Sequence, residues 1–159
     1  MKVNIKNSLV AVILPLAVGG LSSLISSGAM QQFNSMQKPP LAPPAWLFPV
    51  AWTMLYILMG IASLLVYCSQ PTDVGQKLRT AALIIYALQL LLNFCWSPIF
   101  FNAKLYYVAF VVLVCLWLLI AALIVIATRL NKAAAFLLLP YLLWLSFAGY
   151  LNLMIPVLN

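Results

Sequence analysis

The residues able to do chemistry here are few, neutral and gathered in three stretches. In the first, Trp46-Leu-Phe-Pro-Val-Ala-Trp52-Thr-Met-Leu-Tyr56-Ile-Leu-Met-Gly60, the residues Pro49, Trp52, Tyr56 and Gly60 fall on one helical face. In the second, Leu92-Asn93-Phe94-Cys95-Trp96-Ser97-Pro98-Ile99-Phe100-Phe101, the residues Asn93, Trp96, Ser97 and Phe100 share a face at i, i+3, i+4 and i+7. The third puts Pro140, Trp144, Phe147, Ala148, Leu151 and Asn152 together. Small Ala148, one turn from Trp144, makes a notch beside a flat ring, which suits either helix packing or a planar ligand. Indole and phenol faces next to an amide and hydroxyls are binding chemistry. They offer flat apolar surface for a ring and a few groups to orient it.

Other chemistry is excluded by composition. The chain has no histidine, and Asp73 is its only acid. A Ser-His-Asp triad, a carboxylate pair, a metal site of His or carboxylates, and a His-ligated haem cannot form within one chain. Proton-coupled transporters usually carry acids or histidines in their spans, and none is available here. Cys68, Cys95 and Cys115 fall inside apolar runs without paired spacing. They read as small buried hydrophobes, not as disulfides or ligands.

The elements that must position these residues follow from the charges. Of 159 residues, 67% are hydrophobic and only 6% are charged, against about 25% in a soluble domain. Residues 7–37, 39–72, 80–103, 105–128 and 133–159 carry no charge. A span needs about 20 apolar residues. The expectation is an all-α integral membrane bundle of five transmembrane helices in one domain, 1–159. The spans lie near 8–28, 45–69, 79–101, 105–128 and 133–157. No segment shows the alternation of a transmembrane β-barrel. Residues 1–28 resemble a signal peptide in outline, but the apolar run is long enough to span.

With five spans the ends lie on opposite sides. Lys2, Lys6, Lys77, Arg79, Arg129 and Lys132 fall on the N-terminal side, Lys38 and Lys104 on the other. The excess of basic residues places the N-terminus in the cytoplasm. The net charge of +7 is therefore topogenic, and no nucleic-acid partner is expected. Tyr106 and Tyr107 beside Lys104 read as interface anchors, and Trp46 as either an aromatic-belt residue or part of a site.

Residues 29–44 form a long first loop. Five prolines occur in eleven residues, at 39, 40, 43, 44 and 49. They forbid regular helix from Lys38 to Pro44 and predict a stiff lid that delivers Ala45 and Trp46 to the second span. In the first span, Gly19, Ser23 and Ser27 make a small-residue stripe suited to close helix packing. Pro98 removes the N–H that the Phe94 carbonyl would accept and predicts a bend.

Three segments together, KPPLAPPAWLFPVAWTMLYILMG at 38–60, LNFCWSPIFF at 92–101 and LLPYLLWLSFAGYLN at 138–152, resemble the tryptophan-rich sensory protein and translocator protein family (TspO/MBR, the peripheral benzodiazepine receptor family). The resemblance implies a five-helix bundle, a homodimer, and a pocket near the first loop. That pocket would take porphyrins such as protoporphyrin or haem, and in animal relatives cholesterol and benzodiazepine-type drugs. By motif position its residues would be Phe33, Trp52, Tyr56, Asn93, Trp96, Ser97, Trp144 and Ala148. Phe147 shares the last face, and Lys38 in the lid is placed to meet a propionate. No cofactor beyond the ligand is implied.

There are two departures. Relatives often have tyrosine where Phe33 stands. The tail from Leu151 to Asn159 lacks the basic residue that ends the sterol pattern, which counts against cholesterol. Two alternatives to a receptor or carrier remain. One is light-dependent porphyrin breakdown with Trp52 and Trp144 as electron donors. The other is a structural or regulatory subunit whose tryptophans only pack. The membrane would be a bacterial cell membrane.

Overall fold

Apolar runs longer than a bilayer is thick must satisfy every backbone N–H and C=O internally, and helices do this within one segment. A computed structural model describes residues 5–26, 28–69 and 72–159. Among these there is helix and no strand. The long helices are α1 (Ile5–Ile25), α3 (Leu47–Tyr67), α4 (Asp73–Ser97), α5 (Tyr106–Leu130) and α6 (Lys132–Leu158), with a short α2 (Ala29–Ser35) after α1. The five long ones are long and apolar enough to cross a membrane, as the uncharged runs predict. Ser27 of the small-residue stripe, Lys2, Gln70 and Pro71 lie outside the described residues.

The helices close a ring. α1 packs on α3 and α4, α3 on α6, α6 on α5, and α5 on α4. The main core joins α3 to α6 through Met59, Tyr86, Leu116, Ile120, Leu138 and Tyr141. A second, smaller cluster holds the lid end of the bundle, where Phe33, Phe100, Ala109, Leu151 and Ile155 meet.

The first loop is not all loop. Gly28 takes a left-handed conformation at φ 89°, which lets the chain reverse after α1 and start α2. α2 exists because Phe33, 3% exposed, docks its ring on Phe48, with centroids 4.8 Å apart. The proline section then runs over the bundle's end and is strapped to α6. Tyr150 Oη donates to Pro40 O at 2.9 Å. The Gln37 N–H donates to Asn159 Oδ1 at 2.8 Å, and Asn159 Nδ2 donates back to Gln37 O at 3.1 Å.

The end of α4 departs from a simple proline bend. From Pro98 to Asn102 the helix widens to π geometry, with Ala103 N–H reaching Pro98 O at 3.0 Å. The Phe94 carbonyl, deprived of a donor by Pro98, accepts from Ser22 Oγ at 2.8 Å.

Two further expectations are corrected. Tyr106 is not an interface anchor. Its ring packs on Phe100 at 5.1 Å, its carbonyl accepts from Asn152 Nδ2, and only Tyr107 faces out. None of the three cysteines is fully buried: Cys115 is exposed on α5, Cys68 and Cys95 are half-buried, and all three are free. Trp117, half-way along its span, is tied to α6 by its Nε1 donating to Ser146 Oγ at 3.0 Å.

α1 and α3 approach closely at Gly60. A Cβ there would lie 2.5 Å from Ala11 O and 2.8 Å from Val12 Cα, so backbone would have to move. Gly60→Ala is expected to lower stability by about 1–3 kcal/mol in denaturant titration of the micellar protein. Gly149→Ala is the control, since its Cβ would meet only side chains at 3.6 Å or more; it should stay near wild type.

Candidate functional site

The lid end of the ring encloses a cavity of about 310 Å³ between α1, α2, α3 and α4. Small residues on α1 leave the room. Gly19, Gly20 and Ser23 line one wall, and Gly19 lies directly against the Tyr56 ring. α3 supplies Phe48, Pro49, Trp52, Thr53 and Tyr56; of the face predicted from spacing, Pro49, Trp52 and Tyr56 line the cavity and Gly60 does not. α4 supplies Asn93, Trp96 and Ser97, and the π segment supplies Phe101. Ala29 and Phe33 of α2 form the roof.

The aromatic walls are braced from behind. Trp52 stacks on Tyr56 at 5.6 Å and 29° and meets Trp144 edge-on at 6.3 Å. Trp96 stacks on Phe100 at 5.2 Å and 23°. Its Nε1 donates to Asn152 Oδ1 at 3.1 Å, so toward the cavity Trp96 offers ring surface and no N–H.

The polar floor is built across three helices. Tyr56 Oη donates to Asn93 Oδ1 at 2.7 Å. Asn93 Nδ2 donates to Tyr141 Oη at 2.6 Å, and Tyr141 Oη donates to Gln89 Oε1 at 3.2 Å. An amide at membrane depth needs protein partners, and Asn93 has found two. Ser97 Oγ is 3.0 Å from Ser26 Oγ, to which it donates. With Ser22 on Phe94 O and Asn102 Nδ2 on Ile25 O at 2.8 Å, three hydrogen bonds hold the end of α1 to α4.

Of the ten residues named from sequence, Phe33, Trp52, Tyr56, Asn93, Trp96 and Ser97 line this cavity. The other four stand elsewhere. Trp144 and Phe147 line a separate apolar groove of about 370 Å³ between α3 and α6, with Met54, Leu58, Pro140 and Leu143. Trp144 reaches the cavity through its ring contacts with Trp52 and Phe48, and its buried Nε1 has no hydrogen-bond partner among the described residues. Ala148 is buried in the main core. Lys38 is exposed on the lid, with its Nζ 5.2 Å from the Phe33 centroid and 3.5 Å from Asn34 Oδ1, to which it donates.

Sequence reasoning passed over Ser22, Ser26, Phe48, Gln89 and Tyr141 as functional residues. Ser22 and Ser26 repeat at i, i+4 beside the stripe that was read. Gln89 and Asn93 form an i, i+4 amide pair in an apolar run, a signal that polar partners must lie on other helices. Among the described residues no three His, Cys, Asp or Glu gather to hold a metal.

Ser22→Ala would leave the Phe94 carbonyl bare beside Pro98. Expected is a loss of about 0.6–2 kcal/mol in stability, read in the same titration, with faster hydrogen exchange at the start of the π segment.

Comparison with known proteins gives a consistent match. The model of the TspO/MBR family covers residues 11–158. The tryptophan-rich protein TspO of Chlorobaculum tepidum is 37% identical over 147 residues, 91% of this chain and 90% of its own. Protein CrtK of Rhodobacter capsulatus is 36% identical over 141 residues, 89% of this chain and 85% of its own. The translocator protein of Ovis aries is 39% identical over 122 residues, 76% and 70% respectively.

Proposed function

The chain belongs to the TspO/MBR family, and from that membership we propose that its cavity receives flat, hydrophobic ring systems of the porphyrin class. Smaller polycyclic compounds of the benzodiazepine kind would be accepted in the same place. The chain is an integral, multi-pass membrane protein. Relatives named as sensory and translocator proteins support a receptor or regulatory role in the membrane.

One observation carries the ligand class: an apolar hollow walled by Trp52, Trp96, Phe33 and Phe48, with a single hydrogen-bonded floor at Tyr56 and Asn93. Ring faces supply affinity and the floor supplies orientation. At about 310 Å³ the cavity is at the small end of ligand sites, which run to about 1,000 Å³. A tetrapyrrole would insert one edge and leave the rest toward the lid. Its carboxylates would then face Lys38, the basic residue of that loop. With no histidine in the chain, ring faces and not imidazole ligation to iron would hold it, so metal-free protoporphyrin is as suitable as haem. If the charge count sets the orientation, the cavity opens on the non-cytoplasmic side.

Photochemical breakdown of the bound ring is a second reading, favoured by the contact of Trp52 with Trp144. Trp52 would give an electron to the light-excited ring and be refilled by Trp144, and dioxygen would be the oxidant that takes the electron on and opens the macrocycle. Illuminating the complex and finding bleaching no faster than in free solution would remove it.

Protoporphyrin should quench the tryptophan fluorescence of the micellar protein saturably. Trp52→Leu and Trp96→Leu should each weaken binding roughly two- to tenfold, the value of one aromatic contact. Trp117→Leu, which alters an indole remote from the cavity, should not. Undiminished affinity in the Trp52→Leu/Trp96→Leu double variant would contradict this site.

A further inference from the structure

The cavity floor is the end of a longer relay, and the far end is bare. Gln89 and Tyr141 are both 0% exposed and neither touches the cavity. The donors all point one way: Tyr56 to Asn93, Asn93 to Tyr141, Tyr141 to Gln89. In this sense the Tyr56 proton is already spent on Asn93, and the Tyr56 oxygen can only accept. Gln89 Nε2 is left buried with no partner among the described residues.

The same four side chains have a second arrangement. Rotating both amides by half a turn exchanges oxygen for nitrogen at unchanged distances. Gln89 Nε2 then donates to Tyr141, Tyr141 to Asn93 Oδ1, and Asn93 Nδ2 to Tyr56. The Tyr56 proton is released to face the cavity. Gln89 Oε1 becomes the bare atom instead, and a buried unpaired carbonyl is better tolerated than a buried unpaired N–H. Each arrangement makes three hydrogen bonds and strands one amide atom of Gln89, so neither has a decisive advantage. Hydrogen bonds in such a chain reinforce one another, which makes the four groups turn together.

Resting on the cavity being the binding site, we infer that Gln89 is a positioning residue. Through Tyr141 and Asn93 it sets whether the cavity floor accepts or donates a hydrogen bond. The ligands it governs are flat rings that carry either an N–H donor or a carbonyl acceptor toward Tyr56. One pocket thereby serves both chemistries without moving backbone.

Carbazole and 9-fluorenone test this. They share a flat tricyclic frame; the first presents an N–H and the second a carbonyl oxygen. Their binding to the micellar wild type and variants is measured by equilibrium dialysis against empty micelles. Gln89→Met keeps the bulk and removes the acceptor for Tyr141, which must then turn its proton to Asn93. The fluorenone-to-carbazole affinity ratio should rise roughly three- to tenfold, the worth of one hydrogen bond. Tyr141→Phe cuts the relay from the other side. It should abolish the effect, so that adding Gln89→Met changes the ratio no further. If Gln89→Met fails to fold, Gln89→Leu removes the same acceptor and should raise the ratio in the same direction.

A ratio unmoved by Gln89→Met, with both probes weakened alike, overturns the relay and leaves the cavity assignment standing. An equal change in the ratio with and without the Tyr141 hydroxyl also overturns it. Saturable binding of neither probe to the wild type overturns the cavity assignment and the relay together.

Discussion

Asn93 sits where three helices meet. Tyr56 of α3 donates to it at 2.7 Å, and it donates to Tyr141 of α6 at 2.6 Å. In an apolar surround neither hydroxyl nor amide has water to turn to, so these bonds fix how α3, α4 and α6 stand about a common point. Apolar packing alone sets such helices loosely, because lipid tails are as apolar as leucine. The cavity follows from the same constraint. α3 and α4 are joined at Tyr56 and Asn93, and α1 is held to them lower down by Gly60 and at the lid end by Ser22 and Ser26. Between those attachments the glycines and Ser23 of α1 are too small to fill the gap.

The lid and the π segment complete the enclosure by related means. Pro98 denies Phe94 its intrahelical partner, and Ser22 supplies one from α1. A proline that would only kink an isolated helix here becomes a cross-helix tie. The first loop is held at both ends: Phe33 docks on Phe48 over the cavity, and Tyr150 and Asn159 clasp the proline section from α6. A roof strapped to α6 and resting on α3 positions Lys38 beside the Phe33 ring.

Much of the fold was legible because charge is so scarce. Five uncharged runs gave five helices, with ends displaced by at most a turn or two. The face of Pro49, Trp52, Tyr56 and Gly60 was legible too, since spacing along one helix is a local property. What needs a second helix was not. The seven residues of α2 have no periodic pattern, and the helix forms because Phe33 finds Phe48. Which of Ser22 and Ser23 turns toward α4 depends on the rotation of α1, set by Gly19 against Tyr56. The last face was read as one surface, yet Trp144 and Phe147 border the outer groove while Ala148 is buried. The helix is surrounded on two sides, and sequence spacing does not say by what. Gln89 and Tyr141 were visible as polar groups in apolar runs, but their pairing crosses 52 positions of sequence.

The central claim is that flat ligands enter the hollow between α1, α3 and α4, under α2. A density map of the chain bound to protoporphyrin tests it most directly. The account predicts ring density against the Trp52 and Trp96 faces, one edge at Tyr56 and Asn93, and a carboxylate near Lys38. Density lying instead in the groove of Met54, Leu143 and Phe147, with the inner hollow empty, would contradict it.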